Sequence, residues 1–501
     1  MAKENGGVIG IINTPTSTTA SGVWALQDQY EAKRNGNWPL TPFVSPYSAR
    51  FNSGSSDYLN RTPSSTTDRQ KATLSFWTKY CDDTSGNVGR LFNFGLYPSG
   101  TLIYFGDGAY KGKLLIDNYS STTQTISLIT TQLFRDYSAW YHIVVAFDTT
   151  QATASNRVKL YVNGTQVTTF DTATYPSQNE NLFFNFSSST YQIGKNHQPA
   201  YFSGYLSEVN LIDGQQLTPS SFGASNASGV WYPIPYTGSY GTNGFNLKFT
   251  NASSLGTDSS PNGNNFTVNN LTSVDQSIDS TLNNFCTLNP LDPAGTVVGT
   301  MTEGNLQVVN TSNANDFSGR GTVSVSTGKW YWEVKCISSS GGFDNYTIGI
   351  DNVDSKITTG TQYIGYTSTS YAYYANGGTK INNNSFVSYG ASFTAGDIIG
   401  VALDLTNGFI YFSKNGTFQN SGVPTSGATG TGNAFSSLSG TYTPAVSDTG
   451  SVTTCTMAMN FGAPPYSVTG GFADGNGYGN FSYAVPSGYY ALCTANLNTY
   501  G

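Results

Sequence analysis

The chain has 501 residues, a multi-domain length at roughly 100–200 residues per domain, and only 10% of them are charged, which excludes a disordered, charge-solvated protein. Its net charge is −7 and its 22 basic residues are scattered, so nucleic acid and anionic membrane surfaces are excluded as partners. No stretch approaches the ~20 apolar residues of a membrane-spanning helix, and the opening MAKENGGVIGIINTPTS lacks the apolar core of a secretory signal. The expectation is synthesis in the cytoplasm without membrane insertion. With 34 Tyr, 29 Phe and 56 Gly, and Ser, Thr and Asn around short β-branched and aromatic runs, the composition points to an all-β fold.

Residues 1–44 stand apart. Val23, Leu26, Gln27 and Tyr30 recur at helical spacing behind Ser21, and Asn35-Gly36 and Pro39 end the pattern. A helix this short is marginal alone, so its stripe, with Trp24, must pack on something. Docking on its own domain and anchoring in an assembly are both open.

From 45 to 225 the pattern is of short strands. Ala72 to Trp77 alternates, Trp140 to Phe147 is a longer apolar run, and Val158 to Val167 reads as strand, Asn163-Gly164 turn and strand. Strands at this spacing, with no helical pattern between them, predict a sandwich or jelly roll. Tyr58-Leu59, SAWYHIVVAFDTT at 138–150, NRVKLYVNGTQVT at 156–168 and FSGYLSEVNLIDGQQLTPSSFG at 202–223 together resemble the laminin-G or concanavalin-A-like domains of phage structural proteins. The resemblance implies a two-sheet jelly roll, a fold shared by lectins, adhesion modules and some glycoside hydrolases.

Residues 226–290, rich in Gly, Asn and Ser with one plausible strand at Phe245 to Phe249, read as a connector. The pentapeptide Ala20 to Trp24 recurs as Ala227 to Trp231, which five residues leave open between duplication and coincidence. From 291 to 470 a second β unit follows. Trp330, Trp332 and Val334 share one face, with Tyr331, Glu333 and Lys335 on the other, as in a half-buried antiparallel strand. GKWYWEV at 328–334, TIGI at 347–350, SYAYYANGG at 370–378, GDIIGVALDL at 396–405, IYFSKNG at 410–416, TPAV at 443–446 and NFGAPPY at 460–466 resemble the SPRY family in order and spacing. That implies a second concanavalin-like sandwich whose end loops bind protein or peptide, a binding module and not an enzyme. The extension at 471–501 contains YAVPSGYYALCTANL, similar to the segment after SPRY-type units in marine-phage virion proteins.

Little here suggests covalent chemistry. A retaining glycosidase needs two carboxyl groups about 5–5.5 Å apart, and the nearest pairing, Glu208 with Asp213, lacks the glucanase spacing. His142 sits inside an apolar run, as a structural histidine would, and His197 has no nearby carboxylate or nucleophile. Cys336 and Cys455 continue apolar alternations and read as buried small hydrophobes. Calcium is the one cofactor considered, with Asp82, Asp83 and Asn87 as its best local ligands, although a solvated acidic turn is the plainer account. Tyr371, Tyr373, Tyr374 and Asn376 form the candidate ligand-binding cluster, rigid aromatics beside an amide. Alternation also predicts that one side of this run is core.

Two tandem concanavalin-like sandwiches behind a short helical anchor are therefore expected. The resemblances imply a phage virion protein, non-enzymatic, that binds a host-surface glycan or protein as a tail fibre. Its anchor residues Val23, Trp24, Leu26 and Tyr30 would join other virion proteins, and the family suggests a homotrimer. A capsid-surface fibre and a polysaccharide depolymerase are the alternatives.

Overall fold

A computed structural model describes residues 44–81, 89–196, 200–292, 299–310, 318–339, 345–355, 363–448 and 455–501. The anchor residues Val23, Trp24, Leu26 and Tyr30 and the calcium candidates Asp82, Asp83 and Asn87 lie outside them. The fold is nearly all β. Among the described residues the strands form three sheets of eight, one of six and one of two.

In the first sandwich one sheet runs Thr165–Val167, Val158–Val162, Tyr141–Asp148, Lys71–Tyr80, Gly204–Asp213, Ser48–Phe51 and Gln276–Ser277, with Phe245–Leu247 also on Gly204–Asp213. The other runs Phe170–Thr174, Thr123–Thr130, Leu114–Ser120, Ser99–Phe105, Arg90–Leu96, Tyr191–Ile193, Tyr58–Arg61 and Thr267–Asn269. Strand periodicity fills the space between them: Leu74, Phe76, Phe92, Phe94, Ile103, Ile116, Ile143 and Val145 all point into one core. The Asn163-Gly164 turn has φ of 47° and 82°. Two positive φ values in a row match the right-handed twist of the flanking strands, which is why Asn-Gly was a hairpin signal.

The stretch 226–290, read as a connector, also contributes strands to the first sandwich. It adds Phe245–Leu247 and Gln276–Ser277 to one sheet and Thr267–Asn269 to the other. Its abundance of Asn, Ser and Gly is turn chemistry: Asp258 accepts from the backbone N–H of Asn246 at 2.8 Å and of Asn264 at 2.7 Å, closing the loop between them.

In the second sandwich the larger sheet centres on Lys329–Ser339, flanked by Cys455–Asn460 and Ile398–Asp404, and the six-stranded sheet centres on Tyr346–Asn352 and Tyr442–Asp448. Trp330, Trp332, Val334 and Cys336 enter the core as expected, beside Cys455, Met457 and Met459. The opposite face departs from expectation, because Tyr331 and Glu333 are buried as well. Residues beyond Asn460 cover that face, with Phe481, Tyr489 and Ala491 packed around Tyr331. Glu333 accepts the backbone N–H groups of Ser482 at 2.8 Å and Tyr483 at 2.9 Å. Tyr490–Ala491 pairs in parallel with Lys329–Ser339, and a short helix, Thr494–Tyr500, follows.

The two sandwiches meet through the segment between them. Lys79, on the outer face of Lys71–Tyr80, donates to Asp279 Oδ2 and Asn284 Oδ1 at 2.8 Å each and to the Phe285 carbonyl at 3.1 Å. Arg50 reaches Asp275, Glu303 and the Pro464 carbonyl, and Tyr205 donates to the Gly304 carbonyl at 3.0 Å. A buried charge persists only where such partners replace water, so these bonds hold the units in one arrangement.

Candidate functional site

The cleft that best combines shape with chemistry lies on the outer face of the second sheet of the first sandwich. Along Ser99–Phe105 and Leu114–Ser120, alternation sends Ile103, Phe105, Leu114 and Ile116 inward and turns Leu102, Tyr104, Asp117 and Tyr119 outward. Arg90 pairs with Tyr104 across the neighbouring strand, and the turn after Arg90–Leu96 brings Tyr97 and Pro98 to the rim. With Ser121, Thr122 and Asn196 they line about 390 Å³, within the ~300–1,000 Å³ of small-ligand sites.

The polar groups in the cleft are ordered from within. Tyr104 donates to Asp117 Oδ2 at 2.6 Å, and Gln124 Nε2 donates to Oδ1 at 2.9 Å. The Arg90 guanidinium carbon lies 4.3 Å from the centre of the Tyr104 ring, a cation–π contact. Burial holds the Asp117 carboxyl above its ordinary range, while hydrogen bonds from Tyr104, Gln124 and Ser127 and the Arg90 charge pull it down. Burial, then the Asp117 charge, keeps the Tyr104 phenol protonated far above its ordinary value. Tyr97 is 65% exposed at the mouth. Exposed aromatic faces beside fixed hydrogen-bonding groups suit the mixed apolar and hydroxyl surface of a sugar.

Sequence comparison matches residues 53–221 to the concanavalin A-like lectin/glucanases superfamily and residues 329–464 to the SPRY domain. The chain carries a concanavalin A-like domain and a SPRY domain. It is also similar to the ATP-dependent RNA helicase DDX1 of Xenopus laevis, at 33% identity over 97 residues, which is 19% of this chain and 12% of the helicase. The chain thus spans well under two thirds of that relative. Among solved structures, the SPRY domain of human HERC1 is 20% identical, with a TM-score of 0.25 over 31% of this chain and 87% of that one. A second human SPRY domain is 19% identical, TM-score 0.23, over 30% and 90%. Stonustoxin is 16% identical, TM-score 0.24, over 35% and 27%.

In the SPRY domain the four expected ligand-binding residues do not form one cluster. Tyr373 is a core residue, 0% exposed, and this removes it from recognition; its hydroxyl donates to the Ala391 carbonyl and its ring packs among Tyr389, Phe393 and Phe412. Tyr371, on the same side of Ser370–Tyr374, is half-buried against Phe435 and Tyr442. Tyr374 faces the other way, its hydroxyl 3.3 Å from Asn345 Oδ1 and its ring 5.5 Å from Phe386. Asn376 is exposed in the turn that follows. Tyr374, Tyr363, Tyr366 and Phe386 instead make an aromatic patch near the edge strand Ser385–Ser388, where Phe386 is 47% exposed.

The other chemistry-bearing residues are engaged structurally. In the concanavalin A-like domain Glu208 accepts the Ser45 N–H at 2.6 Å, and Asp213 accepts from Thr67 Oγ1 at 2.7 Å and the Asn243 N–H at 2.9 Å. His142 is buried between Ser75 and Trp231. The five cysteines are buried thiols, none of them in a disulfide, and among the described residues no group of three His, Cys, Asp or Glu side chains is placed to hold a metal ion.

Proposed function

We propose that this protein is a non-catalytic binding component of a phage particle, an appendage such as a tail fibre that holds a host-surface glycan. The cleft carries the reading: Tyr97, Tyr104 and Tyr119 converge with Arg90, Asp117 and Asn196 in a concave site on a lectin-type domain. Glu208 and Asp213, the nearest approach to a hydrolytic pair in the sequence, spend their oxygens on backbone and hydroxyl donors, which favours binding over cleavage. The particle assignment rests on the sequence resemblance to phage structural proteins. In the particle, residues 1–44 attach to other virion proteins and trimerisation multiplies a modest affinity through effective concentration.

Gold-tagged antibody against residues 290–470 on purified particles tests the location. Label at the tail is the expected result, label over the head makes the protein a capsid fibre, and bare particles overturn the virion assignment. Incubation with host envelope polysaccharide is expected to give no new reducing ends; their appearance overturns the non-catalytic reading.

A further inference from the structure

The two charged groups in the cleft differ in what they still have to offer. Asp117 is occupied from inside, one oxygen by Tyr104 and the other by Gln124. Arg90 is not: among the described residues no acceptor takes a hydrogen bond from its guanidinium, and its Nε is enclosed without a partner. The group is nevertheless fixed over the Tyr104 ring. A guanidinium held by stacking keeps its planar fork of N–H donors pointed at one place, and enclosure from water strengthens whatever it binds. The unsatisfied capacity of the cleft is thus for an anion with two coplanar oxygens.

We propose that the cleft binds a carboxylated saccharide of the uronic acid type, its carboxylate paired two-pronged with Arg90 and its sugar ring against the exposed face of Tyr97. The inference deepens the glycan-binding reading and rests on it. Charge-assisted, bidentate pairing is what matches a carboxylate to arginine and not to lysine, and in a chain of net charge −7 an anion needs such a fixed local cation to be held.

Calorimetric titration of the full chain with a uronic acid disaccharide, the neutral hexose disaccharide of the same linkage and a sulfated counterpart tests this, for the parent and for Arg90→Gln, Arg90→Lys and Tyr97→Ala. The uronate should bind the parent about ten-fold or more tightly than the neutral sugar, and Arg90→Gln and Arg90→Lys should both erase that difference at unchanged melting temperature. Tyr97→Ala should weaken all saccharides together. Equal binding of uronate and neutral sugar, weakened by Tyr97→Ala, overturns the acid preference while glycan binding stands. Tighter binding of the sulfated sugar overturns the carboxylate assignment. No binding by any saccharide overturns both this inference and the glycan reading of the cleft.

Discussion

The indole Nε1–H of Trp231 donates to Nδ1 of His142 across 2.9 Å, and this bond fixes the chemistry of the imidazole. An indole N–H only donates, so Nδ1 is the acceptor and the proton sits on Nε2, 2.9 Å from Ser75 Oγ. Trp77 stacks on the ring at 4.8 Å between centroids. Gly223 makes room for Trp231, since a Cβ there would lie 2.5 Å from the indole. Trp231→Phe keeps most of the ring contact but strands the Nδ1 lone pair. The expected cost is ~1–3 kcal/mol, read as a lower urea midpoint at pH 7.5, and an unchanged midpoint would show that the bond contributes nothing net.

Two buried groups give opposing pH dependences. Burial pushes His142 down to about 3, below its unfolded value of ~6.5; its stability contribution is complete above the unfolded value and is lost as pH falls toward the folded one. Asp57 is raised to about 7, by burial first and then by the charges of Asp275 and Glu303, against the Asn52 N–H bond and Arg50. Its unfolded value is ~3.9, so its contribution is complete in acid and is lost as pH rises through the folded value. Between about 4 and 6.5 the slopes oppose. Relative to the parent, Asp57→Asn should tilt stability upward with pH across that window, and His142→Gln should tilt it downward. Denaturant midpoints in a pH series check both, and parallel curves for the two variants would refute the assignment.

Lys79 and Asp279 form an ion pair at 2.8 Å with side-chain exposures of 0% and 1%. Removing one partner of such a pair leaves the other charge buried alone, so Lys79→Ala should cost ~3–5 kcal/mol. Replacing both, in Lys79→Met with Asp279→Leu, should recover part of that loss, because the desolvation penalty vanishes with the charges while Asn284 Oδ1, the Phe285 carbonyl and the Trp140 indole N–H lose a partner. Calorimetric unfolding of the single and double variants makes the comparison, and a double variant no more stable than the single one would contradict it.

The strands were legible wherever one face met a core locally. Trp330, Trp332, Val334 and Cys336 alternate inward as their sequence says, and Asn163-Gly164 turns as an Asn-Gly pair should. Burial of the outer faces left no such mark. Lys79 is covered by residues 200 positions further on and Glu333 by residues about 150 further on, and alternation reports nothing about contacts so remote. The cleft was missed for the same reason. Arg90, Tyr104 and Asp117 come from three strands and read singly as ordinary outward residues; only Tyr104 two after Leu102 and Tyr119 two after Asp117 hinted at a shared face.

Tyr373 and Tyr374 are adjacent in sequence and opposite in consequence. The ring of Tyr373 fills the core among Tyr389, Phe393 and Phe412, so Tyr373→Ala should cost ~3–5 kcal/mol. Tyr374 lies across the sheet, half-buried beside Phe386, in the patch it shares with Tyr363 and Tyr366. Tyr374→Ala leaves the core intact and should cost well under the Tyr373 value, about 1 kcal/mol or less. Denaturant unfolding of the two variants separates them. On the proposed role in a phage particle, recognition through this patch predicts that Tyr374→Ala weakens the ability of the added recombinant protein to block attachment of particles to host cells, at nearly unchanged stability. Equal destabilisation by the two substitutions would show instead that Tyr374 belongs to the core, and the patch would lose its standing as a recognition surface.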